Sequence, residues 1–372
     1  MATRKLNTIA VLGAGHGGCA AAADLTARGY QVQLHARRAT TLDPLRKAGG
    51  IHARGVQQGL FPIGLLTTDV AEAIDGADLI MLVVPSGAHA YYALALAGLI
   101  DGTVPIFLNP GHTGGGLHFR KELRDAGYRG PLKTGETASL TYVTRMEDPA
   151  TVGIYSYNRH QGFAALPGRH ADEMFDLVHE IYPETVKASS VIETALGNMN
   201  AVFHPPGMLL NAGWIQRTDG DFLFYKEGVT DAVGRACEAI DAERMAVARQ
   251  LGVPARPFLD NFYASGLTSK EAYESGSIAR ACEESEPNKT IKSPPSLDHR
   301  YVHEDIGYGL VPFGALGRLA RVPTPAIDAM VLLASIATGI DYASQGLTLH
   351  RMGLDGLNDK QLWHFIETGD RA

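Results

Sequence analysis

The sequence predicts an α/β protein, with a doubly wound, mostly parallel sheet in its N-terminal part and a mainly α-helical C-terminal part. Three observations lead there. First, the apolar run Thr8–Leu12 passes into Gly13, Gly15 and Gly18 and then into the small-residue stretch Cys19–Leu25, the order of a strand, a glycine turn and a helix. Second, further short apolar runs at Tyr30–His35, Asp78–Val84 and Pro105–Leu108 alternate with helical patterns, as parallel sheets require. Third, long helical patterns take over from about Val191. The domains expected are therefore 1–190 and 191–372, in keeping with 372 residues at about 150 per domain.

The glycine turn points to a ligand. In G-x-G-x-x-G the first glycine permits a tight turn, the second lets backbone approach a pyrophosphate, and the third lets the helix lie close to its strand, with its N-terminus facing the phosphates. Gly13, Gly15 and Gly18, with His16 among them, are candidate cofactor-binding residues. The second strand ends at Ala36, Arg37 and Arg38, where NAD sites carry Asp or Glu for the ribose 2′-hydroxyl. A small residue followed by arginines suits a 2′-phosphate instead. The turn therefore predicts NADPH (NADP+) over NADH.

The next helix is expected at Thr41–Ala48, capped by Thr40 or Thr41, and Ile51–Leu66 reads as an irregular hairpin. Val70–Ile74 reads as a helix leading into Asp78–Val84, whose nearly continuous apolar character suits a strand buried on both faces. That strand runs into the loop Pro85–His89, at the carboxyl edge where open α/β sheets bind ligands, so Pro85 is a candidate cofactor contact. A second glycine-rich loop, Asn109–Gly116, includes Thr113 and opens the helix Leu117–Ala126. Its amides suit a carboxylate or the nicotinamide ribose. Lys133–Leu140 reads as another carboxyl-edge loop with Glu136 and Thr137 exposed, and Val152–Tyr157 and Val186–Ala188 as strands completing the sheet.

In the second half, His204 precedes Pro205 and Pro206, which places it at a helix break, since proline disfavours helical geometry in the residue before it. Phe203, Trp214, Phe222, Phe224 and Tyr225 surround it in sequence. Ala232–Leu251 reads as a long amphipathic helix with Glu238, Asp241, Glu243 and Arg244 on a solvated face, and Ala272–Pro295 as a long surface loop. Asp298–Gly307 is the most charge-dense stretch. His299 and His303 lie four residues apart without an H-E-x-x-H pattern, so no metal is expected.

Composition narrows the classes further. A net charge of −7 carries no broad basic footprint for nucleic acid. Three widely spaced cysteines, Cys19, Cys237 and Cys282, read as packing residues of a cytoplasmic protein. Met1–Val11 shows no signal-peptide core, and Ala329–Ile340 falls short of the ~20 apolar residues that span a bilayer.

Several motifs together carry a resemblance: VLGAGHGG at Val11–Gly18, LNPGHTGG at Leu108–Gly115, GET at Gly135–Thr137, NMNAVFHP at Asn198–Pro205, RYVHED at Arg300–Asp305 and VPTPAIDA at Val322–Ala329. In this order, and along the whole chain, they resemble the octopine/nopaline dehydrogenases, the opine dehydrogenase family, its bacterial members most of all. The resemblance implies a Rossmann domain, a helical C-terminal domain and reductive condensation of an amino acid's amine with a 2-keto acid. It also implies that His204 is the acid/base and Asp305 its partner. A histidine titrates near neutrality, as loss of water from a carbinolamine needs, and a carboxylate behind the ring fixes its tautomer. Arg300 suits a substrate carboxylate, and Asn200 the orientation of substrate or ring. NAD is the family's common cofactor, with an acidic residue at the position of Ala36 in a close bacterial relative, so the turn here is a departure.

The function expected is thus an NADPH-dependent opine dehydrogenase or imine reductase, acting in an interdomain cleft on an amino acid or amine and a keto acid such as pyruvate. No nucleic-acid or membrane partner is expected; a homodimer is the expected assembly. The rivals are a 2-keto acid reductase of the ketopantoate reductase kind, which needs no amine, and a catalytically silent NADP-binding sensor.

Overall fold

The structure is a computed structural model that describes residues 6–371; Met1–Lys5, which the sequence runs into the first strand, lie outside the described residues. It divides into two compact units, Met1–Thr194 with Gln361–Ala372, and Ala195–Lys360.

Among the described residues the first unit carries twelve strands: β1 (Thr8–Leu12), β2 (Gln31–His35), β3 (Ile51–Gly55), β4 (Gly59–Phe61), β5 (Leu65–Thr67), β6 (Leu79–Leu82), β7 (Ile106–Leu108), β8 (Thr134–Thr137), β9 (Tyr142–Asp148), β10 (Thr151–Tyr157), β11 (Gln161–Leu166) and β12 (Thr185–Lys187). Eight form one sheet in the order β12-β11-β8-β7-β6-β1-β2-β5, parallel throughout except where β11 runs against β8. Side chains from Ile9 to Leu12 and from Leu79 to Leu82 are buried, as strands covered on both faces must be. Chain order reverses at β1, which is flanked by β2 and β6 with Leu12 level with His35 and Leu82. The crevice outside the carboxyl ends of such a switch point is where open α/β sheets take ligands, and the glycine turn and the Pro85 loop leave the sheet there.

Val152–Tyr157 does not complete that sheet. It lies in β10 of a separate four-stranded sheet, β4-β3-β10-β9, in which β3 and β4 form the hairpin expected within Ile51–Leu66 and β10 runs parallel to β3. Alternation marks a strand but not its sheet. The small sheet is tied to the first helix, His16–Ala27, through the buried Asp24 carboxylate. Its Oδ1 accepts from Tyr157 Oη at 2.7 Å and Gln57 Nε2 at 2.8 Å, its Oδ2 from Tyr142 Oη at 2.9 Å, and Arg28 lies 3.5 Å away.

The second unit is helical, and two expectations fail in it. On the helix Asp231–Leu251 the charged face is internal: Arg244 is wholly buried, its Nε and guanidinium 2.9 and 2.6 Å from Asp241 Oδ1. Glu243 accepts the Ala326 and Ile327 amides at 2.7 and 2.9 Å, where its charge complements the start of the helix Pro325–Thr338. The charges thus find partners inside the protein instead of water. The stretch 272–295 holds the helix Ile278–Glu283 and the end of Lys270–Glu274. Ser269 and Ser277 start these helices by accepting from the Ala272 and Arg280 amides, so local capping orders a segment that reads as a loop. Among the described residues no helix is long and apolar enough to cross a membrane.

Candidate active site

In the first unit the glycines divide by what surrounds them. Gly13 has φ +118°, and a Cβ there would stand 2.4 Å from the Val83 carbonyl oxygen; one on Gly18 would stand 1.7 Å from the Gly13 carbonyl oxygen. Gly15 is exposed, and a Cβ on it meets nothing within 4 Å. Two glycines thus let the protein pack on itself, and the third faces open space, as a pyrophosphate cradle requires. Gly15 also begins the helix His16–Ala27 without a side-chain cap, and His16 is exposed beside it. The residues present fit a dinucleotide.

At the end of β2, Ala36 is buried while Arg37 and Arg38 are exposed. The Arg37 guanidinium lies over the Tyr91 ring, 5.4 Å from its centroid, a cation–π contact. The following helix spans Ala39–Ala48 and starts at Arg38 with no side-chain cap, so neither Thr40 nor Thr41 plays that part. Pro85 is exposed just beyond β6, at the start of the turn Ser86–Ala88. Thr113 is buried in the loop before the helix Gly115–Asp125.

Glu136 and Thr137 are buried, not exposed, because they form the end of β8 beneath that glycine loop. Glu136 Oε2 accepts the Gly116 amide at 2.6 Å and its Oε1 accepts from Thr194 Oγ1 at 2.6 Å. The carboxyl therefore anchors the loop from inside. Burial raises its pKa to about 7 from an ordinary 4.5, against the two hydrogen bonds, which favour the charged form. The folded chain holds this proton more tightly than the unfolded chain, so the contribution to stability is complete below about pH 4.5 and is lost as pH rises through 7. Between pH 5 and 8 the wild type should lose on the order of 2–3 kcal/mol from this group. Denaturant titrations of Glu136→Gln should give a flatter profile; an equally steep one would place the dependence elsewhere.

In the second unit His204 lies within the helix Asn200–Leu209, which runs on through Pro205 and Pro206. The expected break does not occur. The proline rings forgo two backbone donors, but every side chain from Ala201 to Met208 is buried, so tertiary packing overrides the local preference. His204 Nδ1 stands 2.7 Å from Asp305 Oδ2, and Nε2 3.3 Å from Tyr225 Oη. Tyr301 stacks on the imidazole with centroids 3.5 Å apart and planes 12° apart, and Phe203 and Phe224 pack around it. Asp305 ends the helix Arg300–Asp305 and a wide helical turn, Ile306–Leu310, follows; Tyr225 sits in another, Phe224–Gly228. Such turns are frequent at functional sites.

Burial drives the His204 pKa well below its ordinary value, Arg300 adds to this and Glu304 opposes it, so the buried ring does not titrate near neutrality, contrary to what the sequence leads one to expect. The lowered pKa favours the neutral ring, and pairing an Nδ1–H with an Asp305 carboxylate assigns Nε2 as the acceptor. That is a base held in one tautomer. Arg300 lies 3.2 Å from Glu304 with its side chain 55% exposed, so the ion pair leaves much of the guanidinium open. Asn200 lies one turn before His204, half-buried, its amide bonded to Asn198 Oδ1 at 3.1 Å. Trp214 and Phe222 stack on each other with centroids 3.9 Å apart. His299 accepts from the Tyr301 amide, and His303 pairs with Asp298 and Tyr342. Tyr301 was missed as a site residue although it lies inside the RYVHED motif; Tyr225 was visible only as an aromatic near His204.

Residues 187–338 match the family model for the α-helical domain of the NAD/NADP octopine/nopaline dehydrogenases, and residues 8–109 match that for the N-terminus of NAD-dependent glycerol-3-phosphate dehydrogenase. An opine dehydrogenase of Arthrobacter sp. (strain 1C) is 37% identical over 355 residues, covering 94% of this chain and 96% of the relative. The chain belongs to the opine dehydrogenase family. Among solved structures, octopine dehydrogenase with NADH and pyruvate superposes with a TM-score of 0.75 at 20% identity over 98% of this chain and 99% of the other. Yersinopine dehydrogenase with NADP+ gives 0.71 at 17% over 98% of each. This opine dehydrogenase family member therefore has a Rossmann-like N-terminal domain and a helical C-terminal domain. It is an NAD(P)-dependent oxidoreductase acting on CH–NH donors.

Proposed function

We propose that the chain is an NADPH-dependent opine dehydrogenase that condenses an amino acid or amine with a 2-keto acid such as pyruvate and reduces the resulting imine to an N-(carboxyalkyl) amino acid. The observation that carries this reading is the buried His204–Asp305 pair at 2.7 Å, an acid/base held in one tautomer on the domain that the family model matches. The octopine dehydrogenase of similar fold has been captured with NADH and pyruvate and with NADH and L-arginine, which supports a keto acid and an amino acid as the substrate classes.

In this reading Gly15 and His16 face the pyrophosphate, Gly13 and Gly18 form the tight turn and the close helix packing that present them, Arg37 and Arg38 hold the 2′-phosphate, and Pro85 and Thr113 border the nicotinamide side. Glu136 acts there through the loop it anchors. The bound nicotinamide supplies the hydride that reduces the imine. Neutral His204 takes a proton from the substrate ammonium, freeing the lone pair that attacks the keto carbon. A second proton passes from the adduct's nitrogen to its alkoxide to form the carbinolamine, and His204 then returns the first proton to the carbinolamine hydroxyl, which leaves as water while the nitrogen lone pair closes the iminium. Asp305 stabilises the imidazolium between these steps, Arg300 grips a substrate carboxylate with two donors, and Asn200 orients the substrate.

A panel of amines and amino acids with pyruvate, followed by NADPH absorbance, tests the reaction. Oxidation that requires the amine is expected. Oxidation by pyruvate alone would show a plain keto-acid reductase, and NADPH binding without turnover a silent sensor. Replacing Arg37 and Arg38 with neutral residues should weaken NADPH by about tenfold or more while leaving NADH nearly unchanged, since each charged contact to phosphate contributes ~1.5–3 kcal/mol. An equal loss for both cofactors would show that the turn does not read the phosphate.

A further inference from the structure

Both ring nitrogens of His204 are engaged. Nδ1 meets Asp305, and Nε2 faces the Tyr225 hydroxyl, which in turn shares a side-chain hydrogen bond with Tyr301. His204, Asp305 and Tyr225 are buried, whereas Tyr301 is half-buried and follows the exposed Arg300. Tyr225 is also held by ring contacts with Phe203 and Phe224, at 5.6 and 5.3 Å between centroids, so it does not swing away easily. The chain Asp305, His204, Tyr225, Tyr301 thus leads from the interior to a half-buried tyrosine that follows, in sequence, the arginine assigned to the substrate carboxylate.

We propose that His204 exchanges protons with substrate through the Tyr225 hydroxyl and then through Tyr301, whose hydroxyl touches the reacting amine and carbinolamine. This rests on the reading of His204 as the acid/base. On uptake, the ammonium proton passes to Tyr301 Oη as the Tyr301 proton moves to Tyr225 Oη and the Tyr225 proton to His204 Nε2; the N–H electron pair stays on nitrogen, and both hydroxyls end neutral. On delivery the order reverses. The imidazolium proton moves to Tyr225, the Tyr225 proton to Tyr301, and the Tyr301 proton to the carbinolamine oxygen. The C–O bond then breaks, its electrons leave with water, and the nitrogen lone pair closes C=N. Burial and its neighbours keep Tyr225 far above the ordinary tyrosine range, hence a neutral hydroxyl that can both donate and accept, as a relay requires.

Tyr225→Phe and Tyr301→Phe keep the rings and remove one link each, with His204→Asn as the control. Each tyrosine variant should lower kcat by about 10²-fold, the lower range for a lost proton-transfer path, while NADPH affinity, read by fluorescence titration, stays unchanged. The solvent deuterium proton inventory on kcat should be curved in the wild type and lose that curvature in both variants, which a merely structural role would not produce. If His204→Asn is inactive while both tyrosine variants turn over near the wild-type rate, the relay is overturned and transfer from His204 is direct. If His204→Asn remains active, the acid/base reading itself fails. Should Tyr225→Phe not fold, Tyr301→Phe at the half-buried end decides alone by the same readouts.

Discussion

Replacing His204 with alanine is expected to lower turnover by about 10²- to 10⁴-fold, the range for loss of a positioned acid/base. The ring is buried with its Nδ1 bonded to Asp305, and in the proposed reading it takes a proton from an ammonium and returns it. Cofactor affinity should be nearly unchanged, because the glycine turn belongs to the other unit. The loss should therefore appear in kcat, with binding of NADPH intact. Turnover close to that of the wild type would end the assignment and leave the imidazole as packing against Tyr301 and Phe203.

The second large effect separates two glycines three residues apart. Alanine at position 18 would place its Cβ 1.7 Å from the Gly13 carbonyl oxygen, so the helix and turn must part, at a cost of about 3 kcal/mol or more, the upper end for overpacking. At position 15 the backbone has φ −84° and ψ −165°, which any residue adopts, and the added methyl meets no protein atom. Gly15→Ala should keep the wild-type melting temperature within a few degrees and weaken the dinucleotide by about tenfold, or 1.4 kcal/mol, because the methyl takes space the pyrophosphate needs. Thermal melts and cofactor titration of both variants check the pair. Wild-type cofactor affinity in Gly15→Ala would show that the open space does not hold phosphate.

What the sequence made legible was mostly local. Gly13 and Gly18 are constrained by atoms within a few residues of the turn or on the adjoining β6 end, so their spacing carries its own meaning. His204 and Asp305 lie 101 positions apart, and only the family's motifs joined them; no periodicity links them. Pro205 and Pro206 misled because the rule for a residue before proline is local, whereas the packing that keeps the helix continuous comes from other helices. Asp241, Glu243 and Arg244 misled because a charged stripe says nothing about whether its partner is water, another charge or a helix N-terminus. Glu136 was legible as a residue of interest within GET, but not as a buried anchor, since its partners Gly116 and Thr194 lie 20 and 58 positions away. The return of residues 361–372 to the first unit has no counterpart in any pattern along the chain.

If the turn at Gly15 binds the dinucleotide as proposed, the Asp24 carboxylate gives the small sheet a part in cofactor recognition that its position in the topology conceals. It fastens the helix that opens at Gly15 to Gln57 in a hairpin loop and to Tyr142 and Tyr157 on two antiparallel strands. Variation at those three positions would alter dinucleotide affinity by re-aiming the amides after Gly15, with every residue that meets the ligand left as it was.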